Sequence, residues 1–168
     1  MTNERRIQVI RHALRVALGA AFLVAVADRL GFLGPYGSRN VSWGDWKHFE
    51  QNVAVLNWFL PKALIPALSA LETVIEAGLG LLLLAGIYPR IAAWGSAVLL
   101  SSFALTMTIA LGILAPLSYG VFTAAGAALL LGAVAAPQPV AVSETAVDGG
   151  HEVRESRSPQ VDNQQIGR

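Results

Sequence analysis

Between residues 91 and 112 the chain carries no charged side chain. A helix of that length, rising about 1.5 Å per residue, reaches across the roughly 30 Å hydrocarbon core of a bilayer. Residues 9–33, 63–85 and 119–136 read the same way. Backbone in hydrocarbon must satisfy its own hydrogen bonds, and helices do so within one segment. The expected fold class is therefore all-α, an integral membrane four-helix bundle. Charges gather outside these runs, in the first fifteen residues, between Arg39 and Lys62, and after Pro137. The first span is the least regular, because Arg15 and the Asp28-Arg29 pair bracket a short apolar run. Basic residues followed by that run and Ala25-Val26-Ala27 are also the grammar of a cleaved signal peptide.

Basic residues orient the bundle. One side would hold Arg5, Arg6, Arg11, Arg15, Arg90, Arg154, Arg157 and Arg168, the other Arg39, Lys47 and Lys62. That bias puts both termini in the cytoplasm. Gly86-Ile87-Tyr88-Pro89-Arg90 is a stop and restart, since glycine caps one helix and proline opens the next. The second and third spans should be antiparallel neighbours. The uncharged link over residues 113–118 should lie shallow in the outer interface or under a lid.

The outer segment repeats Trp43, Trp46, Phe49, Val53, Leu56 and Leu60 at steps of three and four, one apolar face of a helix over about residues 43–60. Ser42 and Asp45 offer an N-terminal capping pattern. Trp43, Trp46 and Trp58 suit the membrane–water boundary. This amphipathic helix is expected to lie on the outer surface and cover the bundle; a gate or docking surface is the sharper alternative. Residues 137–168 hold too few large apolar side chains to fold and are expected to form a disordered cytoplasmic tail.

Close helix contacts in lipid favour small residues. Two stripes at every fourth position fit that role, Ala13, Ala17, Ala21 and Ala25, and Gly120, Ala124, Ala128 and Gly132. Ser102, Thr106 and Ala110 form a shorter polar stripe.

Glu72 and Glu76 are the strongest candidates for a site. They stand one turn apart inside an apolar span, and each ionised carboxylate there costs about 2.5–3.5 kcal/mol on insertion scales. Two carboxylates on one face cannot both ionise cheaply, so one is expected to hold a proton and to serve a ligand or a proton relay. The structural reading is a glutamate neutralised by Arg15 or Arg29 of the first span. Asp28 and Arg29 themselves read as the closing residues of that span, pairing with the outer loop or snorkelling to the interface.

Much is excluded. The chain has no cysteine, so disulfides, thiolate metal sites and iron–sulfur clusters are absent. Its three histidines are not spaced as metal or haem ligands, and no metal site is expected. No phosphate loop, nucleophile elbow or zinc-protease motif occurs, so no catalytic residues are assigned. With net charge +1 and no dense basic patch, nucleic acid is not an expected partner.

Arg15-x-x-x-Gly19, the Arg29-Leu30-Gly31 turn, the run from Glu76 through Gly86, and Arg90-Ile91-Ala92-Ala93 together resemble the DoxX family, over roughly residues 11–132. Those are small four-helix membrane proteins of bacteria and archaea. The resemblance implies a bacterial inner-membrane protein in which Glu76, Arg90 and Arg15 are the positions carried over. It further implies an accessory or quinone-contacting subunit of a membrane redox system, with a redox partner protein or a second copy as partner. A quinone would be its only cofactor, because no side chain here carries electrons. The alternatives are a proton-coupled small-molecule carrier and a non-catalytic membrane scaffold.

Overall fold

The computed structural model describes residues 2–135; the expected tail over residues 137–168 lies outside them. The described residues form helices α1 (Asn3–Arg29), α2 (Trp46–Leu56), α3 (Ile65–Ala85), α4 (Pro89–Leu111), α5 (Leu114–Ser118) and α6 (Val121–Val134), with a 3-10 turn over Lys62–Leu64 leading into α3. Three helical segments are long and apolar enough to cross a membrane, Asn3–Arg29, Lys62–Ala85 and Pro89–Leu111. The outward faces are largely apolar; Val74 and Val98, for instance, are 69% and 70% exposed. Water would not tolerate that surface, whereas lipid matches it.

The expected fourth span over residues 119–136 needs correction. Gly112, at φ 84°, ends α4, and Pro116 lies within the five-residue α5, so part of the outer link is itself helical. Gly120, in the left-handed region, then caps α6. The 14 residues of α6 rise only about 21 Å, less than the thickness of hydrocarbon. The first span also begins earlier than expected, at Asn3, and ends at Arg29, because the turn after Arg29 is closed by Phe32 N–H donating to the Ala27 carbonyl.

The bundle is built from two close pairs, α1 on α3 and α4 on α6, joined by α1–α6 and α3–α4 contacts. Gly19 and Gly80 let α1 and α3 approach. A Cβ on Gly19 would stand 3.0 Å from the Gly80 carbonyl oxygen and 2.8 Å from Leu84 Cγ. The core that results is Leu18, Phe22, Leu83, Leu131 and the alanines of α4 and α6. Of the two small-residue stripes, the one on α6 does pack inward: Ala128 and Gly132 are buried, and Gly132 lies against the Trp94 ring. The alanine stripe on α1 does not. Ala13, Ala17 and Ala21 face outward, and the buried side of α1 is Leu18, Gly19 and Phe22. Glycines on both helices make the close contact, so large α1 side chains can fill the space around it. The hydroxyls of Ser102 and Thr106 are spent on carbonyls of their own helix.

Candidate functional site

The polar residues of the membrane interior converge where α1 ends. Asp28 and Arg29 are adjacent in sequence and point into different structures. The Asp28 carboxylate accepts three backbone N–H groups from the outer segment: Ser42 at 2.8 Å and Trp43 at 3.2 Å on Oδ2, and Gly44 at 3.1 Å on Oδ1. This carboxylate, 4% exposed, thus fastens the outer segment to the end of α1. Ser42 serves that attachment through its N–H, and Asp45 alone caps α2.

Arg29 does not snorkel. It is 2% exposed and turns inward, where each of its three guanidinium nitrogens donates a hydrogen bond. Nη2 donates to Glu76 Oε2 at 2.6 Å, Nη1 to Thr73 Oγ1 at 3.1 Å, and Nε to the Ala25 carbonyl at 3.2 Å. Its Cζ lies 3.9 Å from the centroid of the Phe49 ring and 5.2 Å from that of Trp43. The buried charge is therefore neutralised by α3 and roofed by aromatic faces from the outer segment, each cation–π contact contributing about 0.5–2 kcal/mol.

Of the two arginines expected to compete for the glutamates, Arg29 reaches Glu76. Arg15 sits at the other end of the α1–α3 pair, where Nε donates to the Leu83 carbonyl at 2.9 Å and Nη2 to the Leu84 carbonyl at 3.3 Å. Those carbonyls belong to the last turn of α3, which has no intrahelical donors for them. Gly86 follows with φ 75°, and a Cβ there would collide with the Arg15 guanidinium. Arg90, expected to anchor this turn, is exposed and makes no side-chain hydrogen bond or ion pair among the described residues; Arg15 holds the turn instead.

Along α3 the inward face reads Ser69, Glu72, Thr73 and Glu76. Glu76 is 4% exposed, Glu72 is half-buried, and Ser69 is fully enclosed. Thr73 Oγ1 donates to the Ser69 carbonyl at 2.8 Å while accepting from Arg29. Glu72 has no side-chain partner among the described residues, and neither has Ser69 Oγ. The two glutamates are thus unequal: one closes an ion pair between helices, the other does not.

The cover over this face is α2 and the loop before it. Helix α2 spans Trp46–Leu56, narrower than the expected 43–60, because Asn57 leaves helical geometry and its side chain donates back to the Val53 carbonyl. Phe49, Val53 and Ile65 form a second small core, flanked by Trp43, Trp46, Leu60 and Leu68. Trp43 and Trp46 are therefore packed under the cover, and their edges meet Phe49 at centroid distances of 5.3 and 5.6 Å. Trp58, 69% exposed, is the tryptophan left free to meet a membrane boundary. At the start of α2, Asp45 accepts the His48 N–H at 2.9 Å and holds the His48 ring, which stacks on Tyr36 at 3.8 Å. The donated backbone N–H, reinforced by the ring, keeps the Asp45 carboxyl below the ordinary aspartate value.

No group of three or more His, Cys, Asp or Glu among the described residues is placed to hold a metal. The residues that sequence reasoning undervalued are Asp28, Ser69 and Thr73. Ser69 and Thr73 share the helical face of Glu76 at steps of three and four, a signal that was present. Asp28 gave no such signal, because its partners are backbone groups of a loop.

The family model described as "Methylamine utilisation protein MauE" matches residues 7–115. No curated protein and no solved structure matches the chain. The matched stretch runs from α1 into α5 and includes every residue of the polar convergence. It overturns the DoxX expectation. The residues that carried that resemblance have structural work here: Arg15 and Gly86 close α3, and Gly19 admits a neighbouring helix. Such needs are common to small helical membrane proteins and do not identify one family.

Proposed function

As the chain belongs to the MauE family, we propose that this multi-pass membrane protein is a non-catalytic accessory component of a methylamine-utilisation system. The observation that carries the reading is the buried Arg29–Glu76 ion pair, whose guanidinium also donates to Thr73 and to the Ala25 carbonyl. A carboxylate that closes a buried ion pair is poorly placed to relay protons or to donate a hydrogen bond to a quinone. Together with Asp28 it fixes the outer segment on the bundle. What the protein offers its system is then a rigid outer surface set at a defined height on a membrane anchor. Exposed Phe32, Tyr36, Trp58, Phe59 and Tyr119 supply the aromatic side chains that favour the headgroup region.

The test is complementation. A bacterium that grows on methylamine, with its own MauE-family protein deleted, should regain growth on methylamine when this chain is expressed. Growth on an unrelated carbon source should not depend on it. A chain that reaches the membrane yet leaves methylamine growth unrestored would refute the assignment.

A further inference from the structure

Ser69 is completely buried, and its hydroxyl is the one enclosed side-chain polar atom without a partner among the described residues. Burying a hydroxyl without a partner is unfavourable, so its retention calls for an explanation. Glu72, three residues on along the same face, is the other polar group there with nothing to bind. Helical side chains lean toward the preceding turn, which brings the Glu72 carboxyl back to the level of Ser69. The two do not bond to each other, so both remain available to a third group.

The charges beneath the cover point to the kind of group. Arg29 offsets Glu76, and three N–H donors offset Asp28. Glu72 has no ion pair of its own, and the charge that acts on it, Arg29, is already bonded to Glu76. We propose that Ser69 and Glu72 bind a small ammonium ion, either ammonium itself or a primary alkylammonium, under α2. The proposal deepens the methylamine-utilisation reading and rests on it. One carboxylate and one hydroxyl are too few ligands for a hard metal ion, which takes six or more oxygens. They suit a nitrogen with several N–H donors: two go to the carboxylate and one to Ser69 Oγ. Ile65 lies one turn outward from Ser69 and packs with Phe49 and Val53, so a short alkyl substituent meets apolar side chains. The neighbouring aromatic cover already accommodates one cation, the Arg29 guanidinium.

The experiment is calorimetric titration of the full chain in nanodiscs with methylammonium chloride, ammonium chloride and sodium chloride, each at constant ionic strength. Saturable one-site binding of either nitrogen cation, without binding of sodium, is expected. Glu72→Gln should abolish it, and Ser69→Ala should weaken it about tenfold, as expected for loss of one hydrogen bond to a charged group. Absence of saturable binding in the wild type, unchanged affinity in either variant, or equal binding of sodium would overturn the proposal. So would a stoichiometric quinone that co-purifies with the wild type and is lost in Glu72→Gln. Ser69→Ala removes only an unbonded hydroxyl and keeps the test decisive if Glu72→Gln fails to fold. A chain that binds methylammonium but fails to complement growth refutes the accessory role, whereas one that complements and binds neither cation refutes the site.

Discussion

At residue 76 a carboxylate inside an apolar helix is retained because Arg29 is retained, and each makes the other tolerable. Removing one partner leaves the other buried and uncompensated, which costs about 3–5 kcal/mol in buried pairs, whereas replacing both by apolar groups is often neutral or stabilising. Glu76→Gln should therefore lower the midpoint of thermal unfolding in detergent markedly, and Arg29→Met combined with Glu76→Leu should recover most of the loss. Equal stability of Glu76→Gln and the wild type would show that the pair carries no load. Glu72→Gln should behave differently, leaving stability unchanged or raised, since it removes a half-buried carboxyl that has no direct partner among the described residues. In sequence the two positions stand one turn apart on one face, with nothing in their spacing to say which of them an arginine reaches. What separates them is the rotation and stagger of α1 against α3, set by the Gly19–Gly80 crossing. A pattern of apolar and polar letters does not encode that stagger, so it could nominate Arg15 and Arg29 without choosing between them.

At the scale of elements, α2 illustrates how a short amphipathic helix is made stable by its attachments. Eleven residues are marginal as an isolated helix; here Asp45 caps the N-terminus, Asp28 clamps the loop before it, and Phe49 and Val53 bury its apolar face. Asp28→Ala should raise hydrogen exchange at Ser42, Trp43 and Gly44 while leaving α4 protected; unaltered exchange at those three amides would remove Asp28 from the role given to it. Acidity acts through Asp45. Its carboxyl sits below the ordinary value in the folded protein, so the stabilisation it contributes is complete above the unfolded value of about 3.9 and is lost as pH falls through the lower folded value. Protection of the His48 amide should accordingly hold between neutral and mildly acid pH and decline only in strong acid. The helix itself was legible from its threefold and fourfold spacing, and Asp45 from the capping pattern. Its orientation was not. Tryptophans on an apolar face fit a membrane boundary and a protein core equally well; here Trp43 and Trp46 are half-buried against the Phe49, Val53 and Ile65 cluster.

For the whole molecule, the membrane-crossing helices were the most legible feature, because the length of an apolar run is a direct consequence of bilayer thickness. The short α6 was less so, since the Gly120 cap falls inside a stretch whose hydropathy alone continues. These elements give the chain two ends of different character. The turn between α3 and α4 lies at the end where α1 begins with Arg5, Arg6, Arg11 and Arg15, and the segment between α1 and α3 lies at the opposite end with Arg39, Lys47 and Lys62. Basic residues near span ends are held back on the cytoplasmic side during insertion, so the α3–α4 turn should face the cytoplasm and α2 the outside. The chain contains no cysteine, and single-cysteine variants can be read without background. In intact cells Arg39→Cys should react with a membrane-impermeant maleimide, and Ile87→Cys, in the exposed turn after α3, should react only once the membrane is opened. The reverse pattern would place the polar convergence, with its unpaired Glu72, under a cover that faces the cytoplasm, and any ammonium reaching it would come from inside the cell.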